Sequence, residues 1–109
     1  MRTRLELQNE LVSLFNPDGS QQTIRIYFDP PEGTKLTYPC LLYEYAGYRT
    51  DYGDNIHYLR NRSYDLTFID QDPDSLWPER MYDHFVPYCS PGKPYCADNL
   101  YHFPCTIYY

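Results

Sequence analysis

The chain has 109 residues, enough for one domain that hides about 65% of the surface its unfolded form exposes. Fifteen acidic against nine basic side chains give a formal charge of -6, which argues against a surface built to grip phosphates. No run approaches the roughly 18 apolar residues of a membrane span, and Arg2 and Arg4 introduce no apolar segment that reads as a signal peptide, so a cytosolic product or a particle assembled in the cytosol is expected.

Residues 4–15 predict a helix, with Leu7, Leu11, Leu14 and Phe15 on one stripe and Glu6, Gln8, Asn9, Glu10 and Ser13 on the wet side. Asn16-Pro17-Asp18-Gly19 ends it. Strand one spans residues 23–28, where Ile24, Ile26 and Phe28 alternate with Thr23, Arg25 and Tyr27; the stiff Asp29-Pro30-Pro31-Glu32-Gly33 stops it. Strand two, residues 38–45, puts Leu41, Tyr43 and Tyr45 on one face and Cys40, Leu42 and Glu44 on the other. Neither face is wholly polar, as expected of a sheet with helices on one side and a neighbouring molecule on the other.

Residues 47–61 show no clear periodicity and read as a long loop that touches something, mobile until it does; the alternative is a twisted hairpin with frayed ends. Strand three, residues 62–69, points Tyr64, Leu66 and Phe68 inward, with Ile69 as the exception. Asp72-Pro73-Asp74-Ser75 opens a second helix capped by Asp74 or Ser75. Leu76 or Trp77, Met81 and Phe85 form its packing face, and Pro87 ends it. The last strand, residues 101–109, aligns Tyr101, Phe103, Cys105, Ile107 and Tyr109, while Pro104 pushes it, or at least that part of it, toward a sheet edge. The expected fold is α+β: one domain, α-β-β-β-α-β, a mostly antiparallel sheet with two helices packed on one face.

Nothing in this order assembles a catalytic constellation, so no enzyme and no cofactor are expected. Asp70, Asp72 and Asp74 lack the central glycine and terminal acidic ligand of a calcium loop, and turn or cap duties account for them. Without an export signal the four cysteines should be reduced, with Cys40 and Cys105 as small buried side chains. Cys89 and Cys96 flank a loop, too far apart for the short pair spacing of a structural zinc site with His84 or His102. A thiol nucleophile there would have only Lys93 nearby to activate it. Arg49, Arg60 and Arg62 are too few, and too mixed with Asp51 and Asp54, to form a nucleic-acid groove. The fourteen tyrosines suit half-buried sheet rims and subunit contacts alike.

Several short pieces, in order, resemble the tail completion or tail terminator proteins of long-tailed phages and prophages. They are Tyr38-Pro39-Cys40, Tyr52-Gly53-Asp54-Asn55, Arg62-Ser63-Tyr64-Asp65-Leu66-Thr67-Phe68-Ile69-Asp70, Asp72-Pro73-Asp74-Ser75, Pro87-Tyr88-Cys89-Ser90, Ala97-Asp98-Asn99-Leu100-Tyr101-His102 and Tyr108-Tyr109. The chain departs from the family pattern at Gly53, Asp65 and Phe103. The resemblance implies a fold similar to the lambdoid tail terminator. It also implies a structural subunit of the virion tail, assembled in the host cytoplasm, that forms a hexameric ring with copies of itself. Such a ring caps the head-proximal end of the tail-tube protein, ends its polymerisation and meets the head connector protein, while DNA passes through the lumen without specific binding. Such subunits can stay monomeric until they meet the tube. Candidate contact residues are Tyr43 and Tyr45 on strand two, with Arg49, Tyr52, Asp54, Asn55, His57 and Arg60 in the long connection. The face of Leu41, Tyr43 and Tyr45 separates this reading from its alternative, a small protein- or peptide-binding module. A ring buries that aromatic face between copies, and a docking module leaves it open.

Overall fold

The computed structural model describes residues 3–16, 24–52 and 58–109, with the backbone alone described at 48–52 and 58–61. Chain order is α1 (Arg4–Phe15), β1 (Arg25–Phe28), β2 (Cys40–Tyr52), β3 (Tyr58–Asp70), α2 (Trp77–Phe85), β4 (Cys89–Pro91), β5 (Tyr95–Ala97) and β6 (Leu100–Tyr108). Thr3 caps α1 by accepting a hydrogen bond from the Glu6 amide at 3.2 Å. At the other end the buried Asn16 side chain accepts from the Ile24 amide and donates to the Ile24 carbonyl, both at 3.1 Å. A side-chain amide thus supplies the pairing that a neighbouring strand would, and it ties the end of the helix to the entry of β1.

The sheet runs β1-β2-β3-β6-β4, with β5 also pairing β6. β1 lies parallel to β2, and every other pairing is antiparallel. Register sets three rows across β2, β3 and β6: Leu41–Phe68–Phe103, Tyr43–Leu66–Cys105 and Tyr45–Tyr64–Ile107. Leu7, Leu11 and Phe15 of α1 and Met81 and Phe85 of α2 close over these rows in one cluster. Both helices therefore cover the same face, giving the α+β domain that the hydrophobic pattern predicts. Phe15 stacks on Phe68 with centroids 5.7 Å apart and planes 8° from parallel. Glu10 links three elements, since it accepts from the Tyr109 hydroxyl at 2.5 Å and lies 2.8 Å from His84 Nε2.

Five expectations need correction. Residues 47–52 and 58–61 are strand, so the long connection is mostly a continuation of the β2–β3 hairpin; the twisted-hairpin alternative describes it, and only 53–57 lie outside the described residues. The segment read as a cysteine-flanked loop contains β4 and β5. Asp98 and Asn99, with φ of 54° and 63°, make the two-residue turn that folds β5 back on β6. β6 lies inside the sheet, and only the part around Pro104, between β4 and β5, keeps an unpaired side, so the edge expectation holds for that part alone. A strand residue's N–H and C=O point the same way, and the Pro104 carbonyl accepts from Gly92 at 2.9 Å, just past the end of β4. The missing proline donor therefore faces the gap between β4 and β5, where it interrupts no ladder.

α2 begins at Trp77, later than predicted, and Leu76 is left 60% exposed. Ser75 Oγ accepts from the Trp77 amide at 3.3 Å, while Asp70 and Asp72 accept amides of the preceding turn. Finally, Leu41 and Tyr43 lie under α1 in the domain's own core and are neither a ring contact nor an open docking face. The exception at Ile69 has a simple cause: it faces the opposite side, beside buried Cys40.

Candidate functional site

β1 accompanies β2 only as far as Tyr43, and β6 accompanies β3 only as far as Ser63. Beyond those points β2 and β3 continue alone, in register from Gly47↔Ser63 to Tyr52↔Tyr58. The result is a two-stranded ribbon that projects about 17 Å at about 3.4 Å per residue. Its base carries a bulge between Tyr45 and Gly47, where Gly47 takes φ +125°, a conformation that a side chain would strain. The domain is correspondingly elongated, 49 × 31 × 28 Å, with a radius of gyration of 14.9 Å against the roughly 13 Å of a compact chain this long.

An aromatic cluster braces the ribbon where it leaves the sheet. Tyr45, 50% exposed, stands edge-on to Phe28 at 5.2 Å and lies 5.3 Å from Tyr64. Arg62 covers the Tyr45 ring at 5.0 Å and donates to its hydroxyl at 3.4 Å. Burial pushes the Tyr64 phenol up, partly offset by the neighbouring Arg62. Burial likewise raises Tyr43, whose hydroxyl donates to Gln8 and accepts from Arg4 at 3.2 Å. These contacts anchor the base. Beyond the base no third strand pairs with the ribbon among the described residues.

Of the eight predicted contact residues, the fold brings Arg49, Tyr52 and Arg60 onto the ribbon strands and leaves Tyr45 at its foot. Asp54, Asn55 and His57 fall in the connection outside the described residues. Tyr43 is 1% exposed and belongs to the core.

Among the described residues no helix covers the opposite face of the sheet, although Cys40 and Ile69 at one end of it are buried. Glu44 and Asp65 are direct cross-strand partners there, both exposed, and Asp65 accepts from Thr106 Oγ1 at 2.8 Å. Two adjoining depressions of about 240 and 260 Å³ share Glu44, Asp65 and Thr67 in their lining. Sequence reasoning missed this acidic floor.

The cysteines offer little chemistry. Burial pushes the Cys40 thiol up to about 11, and it raises Cys89 and, further still, Cys105. A thiol raised this way is a poor nucleophile at neutral pH. Cys89 sits against Cys105 across β4 and β6 rather than near Cys96, which is exposed on β5. Among the described residues no three acidic, histidine or cysteine side chains gather as metal ligands would. No protein-family model matches the chain, and no curated protein matches it significantly.

Proposed function

We propose that the chain is a structural subunit of a phage tail, a ring-forming terminator that caps the head-proximal end of the tail tube. Its partners in this reading are copies of itself, the tail-tube protein and the head connector. The single observation that carries the reading is the ribbon: a long β-hairpin, braced at its foot, that leaves the sheet with no third strand paired to it among the described residues. A two-stranded hairpin is marginal alone in water, so a projecting one of this length gains from an external partner. The helix-on-one-face α+β frame adds support, because it is the fold that the family resemblance implies. A closed ring of identical subunits also needs two unlike surfaces on each copy, since a head-to-tail contact closes by rotation. The net charge of -6 suits a lumen that repels passing DNA rather than retaining it.

Leu41 and Tyr43 are covered by α1, so that face favours neither this reading nor the peptide-docking alternative, and Tyr45 alone of the three stays exposed. A tube-growth assay tests the proposal: the cognate tail-tube protein is polymerised with and without the chain, and lengths and ends are read by electron microscopy. The expected result is arrested growth with a ring at one end. Tubes that lengthen at the same rate at saturating chain, with no chain sedimenting on them, would refute it.

A further inference from the structure

A hairpin that leaves its sheet carries two open edges, and a hydrogen bond at its foot fixes which amides face outward. The Tyr109 amide donates to the Arg62 carbonyl at 2.9 Å, so Arg62 turns its backbone polar groups toward β6 and away from β2. Strand residues alternate in this respect, and residues paired across an antiparallel ladder share it. Arg60 and Tyr58 therefore turn their N–H and C=O outward on β3, and the register does the same for Tyr48, Thr50 and Tyr52 on β2. The pairs Arg49–Asn61 and Asp51–Leu59 lie between them and close the hairpin's own ladder. Among the described residues no further strand pairs with either edge.

The outer strands of the sheet are blunted, and the ribbon is not. β1 has four residues and gives way after Asp29 to Pro30-Pro31, while β4 has three and ends at Pro91. Short strands and prolines of this kind stop an edge from recruiting another strand. None of the chain's ten prolines lies between Pro39 and Pro73, so every outward position of the ribbon keeps its donor. Such an edge is a template for a further strand.

A strand from an unrelated protein would cover one edge and leave the other open. A copy of the ribbon carries both, and they are unlike, since β2 runs out along the ribbon and β3 runs back. Two ribbons pointing the same way set the β2 edge of one against the β3 edge of the next as an antiparallel pair, the geometry of the hairpin itself. We propose that successive copies pair in this way, so that one antiparallel sheet runs from ribbon to ribbon. The contact joins unlike surfaces head to tail, and its closure into a ring, which leaves no edge open, rests on the terminator reading above.

Hydrogen exchange read amide by amide tests it, on the full chain over a concentration series into the millimolar range and on the chain bound to tail tubes. In the dilute chain the amides of Arg49, Asp51, Leu59 and Asn61 should be protected, while those of Tyr48, Thr50, Tyr52, Tyr58 and Arg60 exchange freely. On assembly the outward amides of both edges should slow at least about tenfold. Thr50→Pro and Arg60→Pro each remove one outward donor and none from the hairpin's own ladder. Each should keep the melt of the parent and associate at least about tenfold more weakly. Thr50→Ala and Arg60→Ala retain the amide and should still associate. Outward amides left unprotected both in the concentrated chain and on tubes would overturn the proposal, as would proline variants that associate like the parent. Protection confined to one edge would overturn it too, because the added strand then belongs to another protein. The tube-growth assay keeps the two readings apart. A chain that caps tubes with both edges unprotected loses this contact alone, and one that protects both edges while tubes keep growing loses the terminator reading alone.

Discussion

Replacing Phe68 by alanine tests which side of the sheet carries the core. Its side chain is fully buried, lies parallel to Phe15 of α1 at 5.7 Å, and shares a row with Leu41 and Phe103. Truncation forfeits the transfer energy of the ring and leaves a cavity between helix and sheet, together about 3–5 kcal/mol. A domain of this size has about 5–15 kcal/mol in total, so the variant should be close to the unfolding threshold. In urea, with a slope of about 2 kcal/mol per molar, the midpoint should fall by roughly 2 M. Phe68→Leu, which keeps most of the volume, preserves a measurable transition if the alanine variant does not fold. The stack adds a second signature. Phe15→Ala and Phe68→Ala combined should cost less than the sum of the two by about 0.5–1.5 kcal/mol, the coupling expected of an aromatic pair. Leu76→Ala, on a side chain 60% exposed, should stay within about 0.5 kcal/mol of the parent. A loss below about 1 kcal/mol at Phe68, or an equal loss at Leu76, would refute the assignment of faces.

Asn16→Ala leaves the Ile24 amide and carbonyl without their side-chain partners; equilibrium melts should show a loss of about 2–4 kcal/mol, and a neutral result would mean that water replaces the pair. Burial raises Cys40 from 9.0 to about 11 and Tyr82 from 10.0 to about 12, so between about pH 9 and 12 the unfolded chain has released protons that the folded one retains. The unfolded state then binds fewer protons, and stability falls as pH rises through that window; a urea midpoint constant to pH 12 would contradict this. Deleting residues 50–57 joins Arg49 to Tyr58 and shortens the hairpin. The melt should survive, because every row of the core lies outside the deletion, while self-association and tube capping are lost. A deletion variant that still caps tubes would remove the ribbon from the function.

The elements that pack are the ones the sequence spells out. Leu7, Leu11 and Phe15 at helical spacing, and Tyr64, Leu66 and Phe68 at alternate positions, each record one buried face, and the structure buries those side chains. Errors occur where another constraint dominates. Pro104 suggests an edge because a proline cannot donate, yet it sits inside the sheet where two short strands leave a gap. β4 and β5 have only three residues each, too few for alternation to show, although Asp98-Asn99 between two short segments was a legible hairpin turn. α2 starts one residue later than expected because Asp70, Asp72 and Ser75 spend their side chains on the turn before it, and Leu76 caps the helix with no side-chain bond.

The ribbon was hidden for the opposite reason. Apolar alternation records a buried face, and residues 47–61 carry no such alternation, so the usual strand signal is missing there. What remains is residue preference: Tyr48, Thr50 and Tyr52 are strand formers that alternate with Arg49 and Asp51, and Gly53-Asp54-Asn55 has the composition of a turn. The acidic pair was hidden one level deeper. Glu44 and Asp65 lie on different strands, and nothing local marks them as neighbours until Leu41 is set against Phe68 and the register follows. Once it is set, two acids face each other on the side of the sheet away from both helices.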